Sequence, residues 1–129
     1  MEQVYFVIVL ILIEYAVLGG LVGRARGKYG VKAPAITGNE VFERTFRVHQ
    51  NTLEGLVILL PALWLFGSYV SPSIAAVLGL VALVGRAIYA RAYIVDAEKR
   101  GPGAAICGMT NIVLLLGSLY GIVRQIALM

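Results

Sequence analysis

The stretch "GLVILLPALWLFGSYVSPSIAAVLGLVALVGRA", residues 55–87, is a long apolar run in which Arg86 is the only charged residue. A helix needs about 20 mostly apolar residues to cross a bilayer, so this run is long enough for two passes. Ser71 and Pro72 divide the run, because serine caps helix N-termini and proline fits the first helical position. The run therefore predicts two membrane spans, at about 50–69 and 73–95.

A second pair of apolar runs flanks this one and predicts two further spans. Val4–Val22 contains Glu14 as its only charge, and Gly101–Val123 contains none. These runs place spans at about 3–23 and 103–125.

The composition agrees with a membrane environment. The chain is 60% hydrophobic and 14% charged, against roughly 45–50% and 25% for soluble domains. The apolar runs lack the polar alternation of a membrane barrel, and the first has no basic leader of the kind that precedes a signal-peptide core. The sequence predicts one domain over residues 1–129, an all-α membrane protein built as a bundle of four transmembrane helices.

The basic residues indicate how the chain is oriented. Four spans place both termini on one side, and ten of the eleven Lys and Arg residues lie at the first and third connections. By the positive-inside rule these two connections are predicted to be cytoplasmic. The net charge of +4 then reflects topology, and no nucleic-acid partner is predicted. The compact chain without a retention tail favours a bacterial inner membrane over endoplasmic reticulum.

Polar segments near the membrane surface carry the candidate chemistry. The segment 24–50 is predicted to contain a loop, marked by Gly27, Gly30, Pro34 and Gly38, and Asn39 is the predicted start of the second helix. The third helix is predicted to continue as a polar extension that ends at Gly101–Pro102. Two helices would then project polar ends on the same side.

The second helix carries a polar stripe. Its members are spaced three, four and three residues apart: Arg44, Arg47, Asn51 and Glu54. His49 lies roughly 160° from this stripe at 100° per residue, so it faces another neighbour.

A second stripe is predicted on the third helix, at spacings of three, four, three and four: Arg86, Tyr89, Tyr93, Asp96 and Arg100. Charges at membrane depth cost about 2.5–3.5 kcal/mol each, so they normally face a bundle interior or a wet cavity. The two stripes together predict a pocket for a small, zwitterionic ligand with several charges.

Simpler interpretations exist for some of these residues. Arg86 and Arg91 fit the pattern of interface anchors, and Glu54 has Arg47 within pairing distance along the same helix face. The lone Cys107 has no partner for an internal disulfide and is predicted to be a small packing residue. No metal site is predicted.

Two motifs resemble the MAPEG family, the membrane-associated proteins in eicosanoid and glutathione metabolism. They are "FERTFRVHQNTLE" (42–54) and "LVGRAIYARAYIVDAEKRGPG" (83–103), which contain R-x-H/Q-x-N-x-x-E and Y-x-x-x-Y-x(6)-R. The pattern is most similar to microsomal glutathione transferases and leukotriene C4 synthase, and it extends from about Arg26 to Pro102.

The resemblance implies a homotrimer that binds glutathione between neighbouring subunits near the cytoplasmic side. From one subunit it implies these contacts: Arg47, Asn51, Glu54, Tyr89 and Tyr93. Arg26 and His49 would reach the same glutathione from the adjacent subunit, and Arg100 would activate its sulfur. The implied activity is a detoxifying transferase or peroxidase that uses glutathione as co-substrate, needs no metal, and takes a lipophilic second substrate from the bilayer.

Two positions depart from leukotriene C4 synthase. Gly55 stands where that enzyme has a tyrosine, and His49 replaces its glutamine. The glycine removes one contact. Both departures leave the second substrate open, whereas the glutathione site is still expected.

Two other functions stay open at this point. A non-catalytic lipid-binding scaffold of the same family is expected to lack the catalytic arginine, whereas Arg100 is present. A small four-helix multidrug exporter would use Glu14, but its helices are otherwise nearly free of charge. In both cases the two stripes favour the glutathione-dependent enzyme.

Overall fold

The structure, a computed structural model that describes residues 1–129, consists of helices joined by short connections. The four long helices are α1 (Glu2–Tyr29), α2 (Glu40–Tyr69), α3 (Pro72–Val95) and α4 (Gly101–Ala127). A 3₁₀ turn, Ala97–Arg100, joins α3 to α4. All four helices are long and apolar enough to cross a membrane, and each predicted span lies inside one of them. The prediction of an all-α chain with four candidate membrane spans is confirmed.

Side-chain caps fix where the two central helices begin. The Asn39 side chain accepts a hydrogen bond from the Phe42 backbone N–H at 3.0 Å, and α2 starts at the next residue. The Ser71 hydroxyl accepts one from the Ile74 N–H at 3.2 Å, with Pro72 in the first turn of α3. Both caps satisfy N–H groups that have no partner within the helix, as the sequence predicts.

Helices α2 and α3 form the centre of the bundle. They pack against each other and each also packs against α1 and α4, whereas α1 and α4 have little contact with one another. The largest core cluster joins all four helices, and Val7, Leu63 and Leu114 are among its best buried members. A smaller cluster of Leu18, Val48, Tyr89 and Ala90 continues the core towards the polar end of the bundle.

Most apolar side chains lie outside this core. Only 30 of 129 residues are buried although 60% of the chain is hydrophobic, and large side chains such as Phe6, Trp64 and Leu116 are exposed on different helices. An apolar surface this large needs lipid or another subunit to cover it.

The third helix is shorter than predicted. It ends at Val95, and Asp96 has an extended backbone, with φ −157° and ψ 113°. The Asp96 carboxylate accepts a hydrogen bond from the Glu98 N–H at 3.1 Å and so caps the 3₁₀ turn. The prediction that Asp96 and Arg100 continue the helical stripe of Tyr89 was therefore wrong.

The first connection is also shorter than predicted. Helix α1 continues through Gly27 to Tyr29, and Gly30 caps it with a φ of 69°, the left-handed conformation that glycine adopts without strain. The assignment of Gly27 to the loop was wrong, and only residues 30–39 connect α1 to α2. This compact connection lies at the same end of the bundle as the 3₁₀ turn.

Candidate functional site

A groove of about 300 Å³ opens between α2, α3, α4 and the 3₁₀ turn. It is lined by Asn51, Arg86, Tyr89, Arg100, Ala104, Cys107, Gly108 and Asn111. Three of the residues predicted for the site, Asn51, Tyr89 and Arg100, thus lie on one surface. The polar lining near the end of an otherwise apolar bundle marks this groove as the candidate site.

The centre of the groove is a network that connects α2 to α3. Arg86 donates a hydrogen bond from Nη1 to the Asn51 side-chain oxygen at 2.8 Å. The Arg86 guanidinium carbon also lies 4.9 Å from the centroid of the Tyr89 ring, a cation–π distance. Tyr89 in turn stacks on Tyr93, with centroids 5.6 Å apart. These contacts hold one amide and two phenols in fixed relation to a cation.

Arg47 and Glu54 lie on α2, about one turn to either side of Asn51. Arg47 Nη1 is 3.8 Å from Glu54 Oε1, and the two side chains are 52% and 54% exposed. An ion pair this exposed contributes about 0–1 kcal/mol. A ligand that carries both an anion and a cation can therefore replace it at little cost.

Arg100 reaches the groove from the 3₁₀ turn rather than from α3. Its Nη1 donates a hydrogen bond to the Ala97 carbonyl at 2.8 Å, and the residue is otherwise exposed. A guanidinium has five N–H donors, so this bond anchors the side chain and leaves most of its donors for a ligand. Arg100 and Arg86 both line the groove and give it a positive charge.

His49 and Arg26 do not line this groove in their own chain. The His49 ring stacks on Tyr15 of α1, with centroids 4.4 Å apart and planes 15° apart. Arg26 donates to the Ala35 carbonyl at 2.7 Å and lies over the Phe42 ring at 4.8 Å, which ties the first connection down. A role for either residue in a neighbouring subunit's site stays a prediction.

Arg44, which has no ligand role in the predicted set, joins two helices. Its Nε donates a hydrogen bond to the Ile94 carbonyl at 2.9 Å, and its Nη1 is 3.9 Å from Glu40. The bond gives the Ile94 carbonyl a donor, which matters because carbonyls in the last turn of a helix have no N–H partner within the helix. Arg44 therefore fixes the end of α3 just before the turn that carries Arg100.

Sequence reasoning missed two features of the groove. Asn111 lines it from α4, and the sequence offered a clue, since an amide in an uncharged apolar span is costly unless it has a polar neighbour. Cys107 is buried as predicted, with Sγ 4.0 Å from the Ala82 carbonyl, but it also reaches the groove wall. No group of three or more His, Cys, Asp or Glu side chains is placed to hold a metal ion.

The groove can bind a small ligand that has several charges. The guanidinium groups of Arg86 and Arg100 suit carboxylates or a sulfur anion, and Asn51 and Tyr89 suit peptide groups. The other predicted site residues of α2 and α3 do not line the groove: Arg47, Glu54 and Tyr93. Glu54 suits the ammonium group of a ligand that extends beyond the groove along α2. In a partly desolvated site the cations favour the anionic form of any bound acid.

Comparison with known proteins gives a consistent pattern. The MAPEG family model matches residues 4–120. The chain is 53% identical over 112 residues to an uncharacterized protein of Synechocystis sp., with 87% of this chain and 82% of that protein covered. It is 42% identical over 99 residues to microsomal glutathione S-transferase 2 of Homo sapiens, with 76% and 67% covered. It is 38% identical over 77 residues to leukotriene C4 synthase of Cavia porcellus, with 60% and 51% covered.

Proposed function

The chain belongs to the MAPEG family, and we propose that it is a membrane-bound glutathione transferase with glutathione-dependent peroxidase activity. Its similarity to microsomal glutathione S-transferase 2 and to leukotriene C4 synthase supports glutathione as the co-substrate. The observation that carries the proposal is the shared groove of Asn51, Arg86, Tyr89 and Arg100.

The polar groups match the chemistry of glutathione, which has two carboxylates, one ammonium, two peptide groups and a thiol. The exposed Arg47–Glu54 pair opens to take the carboxylate and the ammonium of the γ-glutamyl end. Asn51 binds a peptide group, and Tyr89 and Tyr93 flank it. Arg26 and His49 complete the site from a neighbouring subunit in a homotrimer.

Arg100 is the proposed catalytic residue. A thiol is a poor nucleophile and its thiolate a good one, so the enzyme must lower the pKa of the glutathione thiol. Lowering that pKa by about two units requires roughly 2.7 kcal/mol of preferential thiolate stabilisation. A guanidinium that stays protonated and sits beside the sulfur supplies energy of this order in a partly desolvated site. The thiol proton leaves to solvent.

The thiolate then reacts with a lipophilic second substrate from the bilayer. In conjugation it forms a carbon–sulfur bond as the electrophile loses its leaving group. With a lipid hydroperoxide it attacks the terminal oxygen, the O–O bond breaks, and the lipid alcohol forms with one proton. The resulting glutathione sulfenic acid condenses with a second glutathione to give the disulfide and water.

Turnover by the purified protein tests the proposal. The protein in detergent should conjugate glutathione to chlorodinitrobenzene and reduce a fatty-acid hydroperoxide, at rates that saturate with glutathione. A lipid-binding scaffold would show neither reaction. The exporter alternative predicts proton-coupled uptake into vesicles that depends on Glu14, and such uptake without conjugation would replace the transferase proposal.

Changing Glu54 to glutamine should weaken glutathione binding. The change removes the anion that accepts the ligand's ammonium group, and a hydrogen bond to a charged group is worth about 1.5–3 kcal/mol. We expect KM for glutathione to rise about 10- to 100-fold with kcat nearly unchanged, measured with saturating chlorodinitrobenzene. Glu40→Gln is the matched control, because that side chain lies on the same helix and is 93% exposed. Equal KM values for the two variants would show that Glu54 does not bind glutathione.

A further inference from the structure

Arg86 lies where the candidate groove meets the interior of the bundle. Besides the groove, it lines a small internal cavity of about 10 Å³, whose only other charged residue is Glu14 of α1. Neither Glu14 nor Arg86 forms an ion pair within 4.0 Å. The cavity is about large enough for one water molecule. The two residues also line a wider cavity of about 570 Å³, so they lie near each other without a direct contact. Opposite charges on the walls of the same cavities attract each other.

The bond from Arg86 fixes which way the Asn51 amide points. A guanidinium only donates hydrogen bonds, so the atom that meets Arg86 Nη1 at 2.8 Å must be the amide oxygen. The two N–H donors of Asn51 are then left for the groove. Without this bond the amide is free to rotate and to present its oxygen to the ligand instead.

Gly55 leaves the space that this arrangement needs. A Cβ atom on Gly55 would lie 2.9 Å from Arg86 Nη2, closer than real Cβ contacts allow. Any larger residue there would push the guanidinium away from its present place. The atom in the way is the end of a flexible side chain, so such a change would move Arg86 without disrupting the packing of the helices.

We propose that Arg86 is a positioning residue for the glutathione site: Glu14 holds its guanidinium from the interior, and Arg86 holds the Asn51 amide with its N–H groups towards an acceptor on the ligand. This inference rests on the proposed function. The proposal assigns a role to Glu14, the single charge in the first apolar run, because Glu14 would attract the Arg86 guanidinium of the same chain. It also predicts that the ligand group facing Asn51 is a carbonyl or carboxylate oxygen.

A double-mutant cycle between Arg86 and Asn51 tests the proposal. In the full-length protein in detergent, Arg86→Met should raise KM for glutathione about tenfold, because one oriented hydrogen bond to the ligand is lost. At saturating glutathione the fall in kcat should be smaller than the rise in KM, because Arg100 and not Arg86 is the residue assigned to the glutathione sulfur. In an Asn51→Ala background, Arg86→Met should raise KM no further.

Arg86→Met leaves the Glu14 charge inside the bundle without an opposite charge nearby, which can destabilise the fold. Two further variants keep the test valid in that case. Glu14→Gln with Arg86→Met removes both charges and should show the same tenfold rise. Gly55→Ala removes no charge and should raise KM about three- to tenfold by displacing the guanidinium. Gly20→Ala is its matched control, since a Cβ there meets nothing within 4 Å.

Three results would overturn the proposal. These are independent KM effects of Arg86 and Asn51, a fall in kcat with unchanged KM in Arg86→Met, and an unchanged KM in Gly55→Ala. Failure of the unchanged protein to bind glutathione is a different outcome, which would overturn the proposed function itself.

Discussion

Replacing Arg100 with alanine should lower turnover at least about 100-fold and remove the thiolate absorbance of bound glutathione, while KM for glutathione changes little. Loss of one preorganised donor to a developing anion typically costs 10²–10³ in kcat. The side chain is anchored only by the Ala97 carbonyl on an exposed turn, so its removal should not disturb the packing of the bundle. The effect should therefore appear in chemistry and not in stability.

Two companion variants make this result specific. Lys99→Ala removes a cation from the adjacent position of the same turn and should leave turnover nearly unchanged. Arg100→Lys keeps the charge but loses the planar fork of donors, so it should recover only part of the activity. Normal turnover in Arg100→Ala would exclude Arg100 as the activating residue.

Replacing Gly103 with alanine should have the largest effect on stability. A Cβ at this position would lie 2.5 Å from both the backbone nitrogen and the Cα of Tyr89, so α3 and α4 would have to separate. Overpacking of this kind costs about 1–3 kcal/mol, and backbone atoms cannot turn aside as a side chain can. We expect Tm in detergent to fall by about 5–15 °C and glutathione binding to weaken, because Tyr89 lines the groove.

Gly101→Ala is the matched control for this variant. It lies two residues earlier in the same helix, and a Cβ there meets nothing within 4 Å. Its Tm should stay within a few degrees of the unchanged protein. If both alanine variants were equally stable, the close approach of α3 and α4 at Tyr89 would be contradicted.

The sequence was sufficient to predict the four helices because a helix that crosses a bilayer needs about 20 mostly apolar residues in a row. Apolar runs of the required length give the spans, and local capping residues such as Asn39 and Ser71 fix where two helices begin. These features depend on residues close together in the chain, so periodicity and composition detect them.

The end of α3 shows where such reasoning fails. The spacing from Arg86 to Arg100 fits a continuous helix, but the Asp96 carboxylate bonds the Glu98 backbone and breaks the helix there. Arg100 still reaches the predicted groove, because the 3₁₀ turn that carries it joins α3 to α4 and Arg100 lines the groove from there. The stripe thus correctly predicted that Arg100 lies near Tyr89, although Arg100 belongs to a 3₁₀ turn and not to α3.

The side-chain contacts between helices could not be predicted from the sequence. The periodicity places Asn51 and Arg86 on stripes that face one pocket, but it does not indicate that the two residues form a hydrogen bond or that Gly55 leaves the space for it. Asn111 was missed although its amide stands alone in an uncharged span, because the other polar residues that line the groove belong to other elements. Side-chain pairing across helices depends on the crossing geometry of the bundle, which a single sequence does not display.

Titration of the purified protein in detergent with glutathione, with thiolate absorbance followed in the ultraviolet at neutral pH, shows whether the protein forms the glutathione thiolate. We expect a saturable rise in absorbance that is absent from Arg100→Ala and that disappears when an electrophile consumes the bound thiolate. A folded protein that shows no such rise at millimolar glutathione would contradict it, because the groove would then not form the thiolate on which both proposed reactions depend.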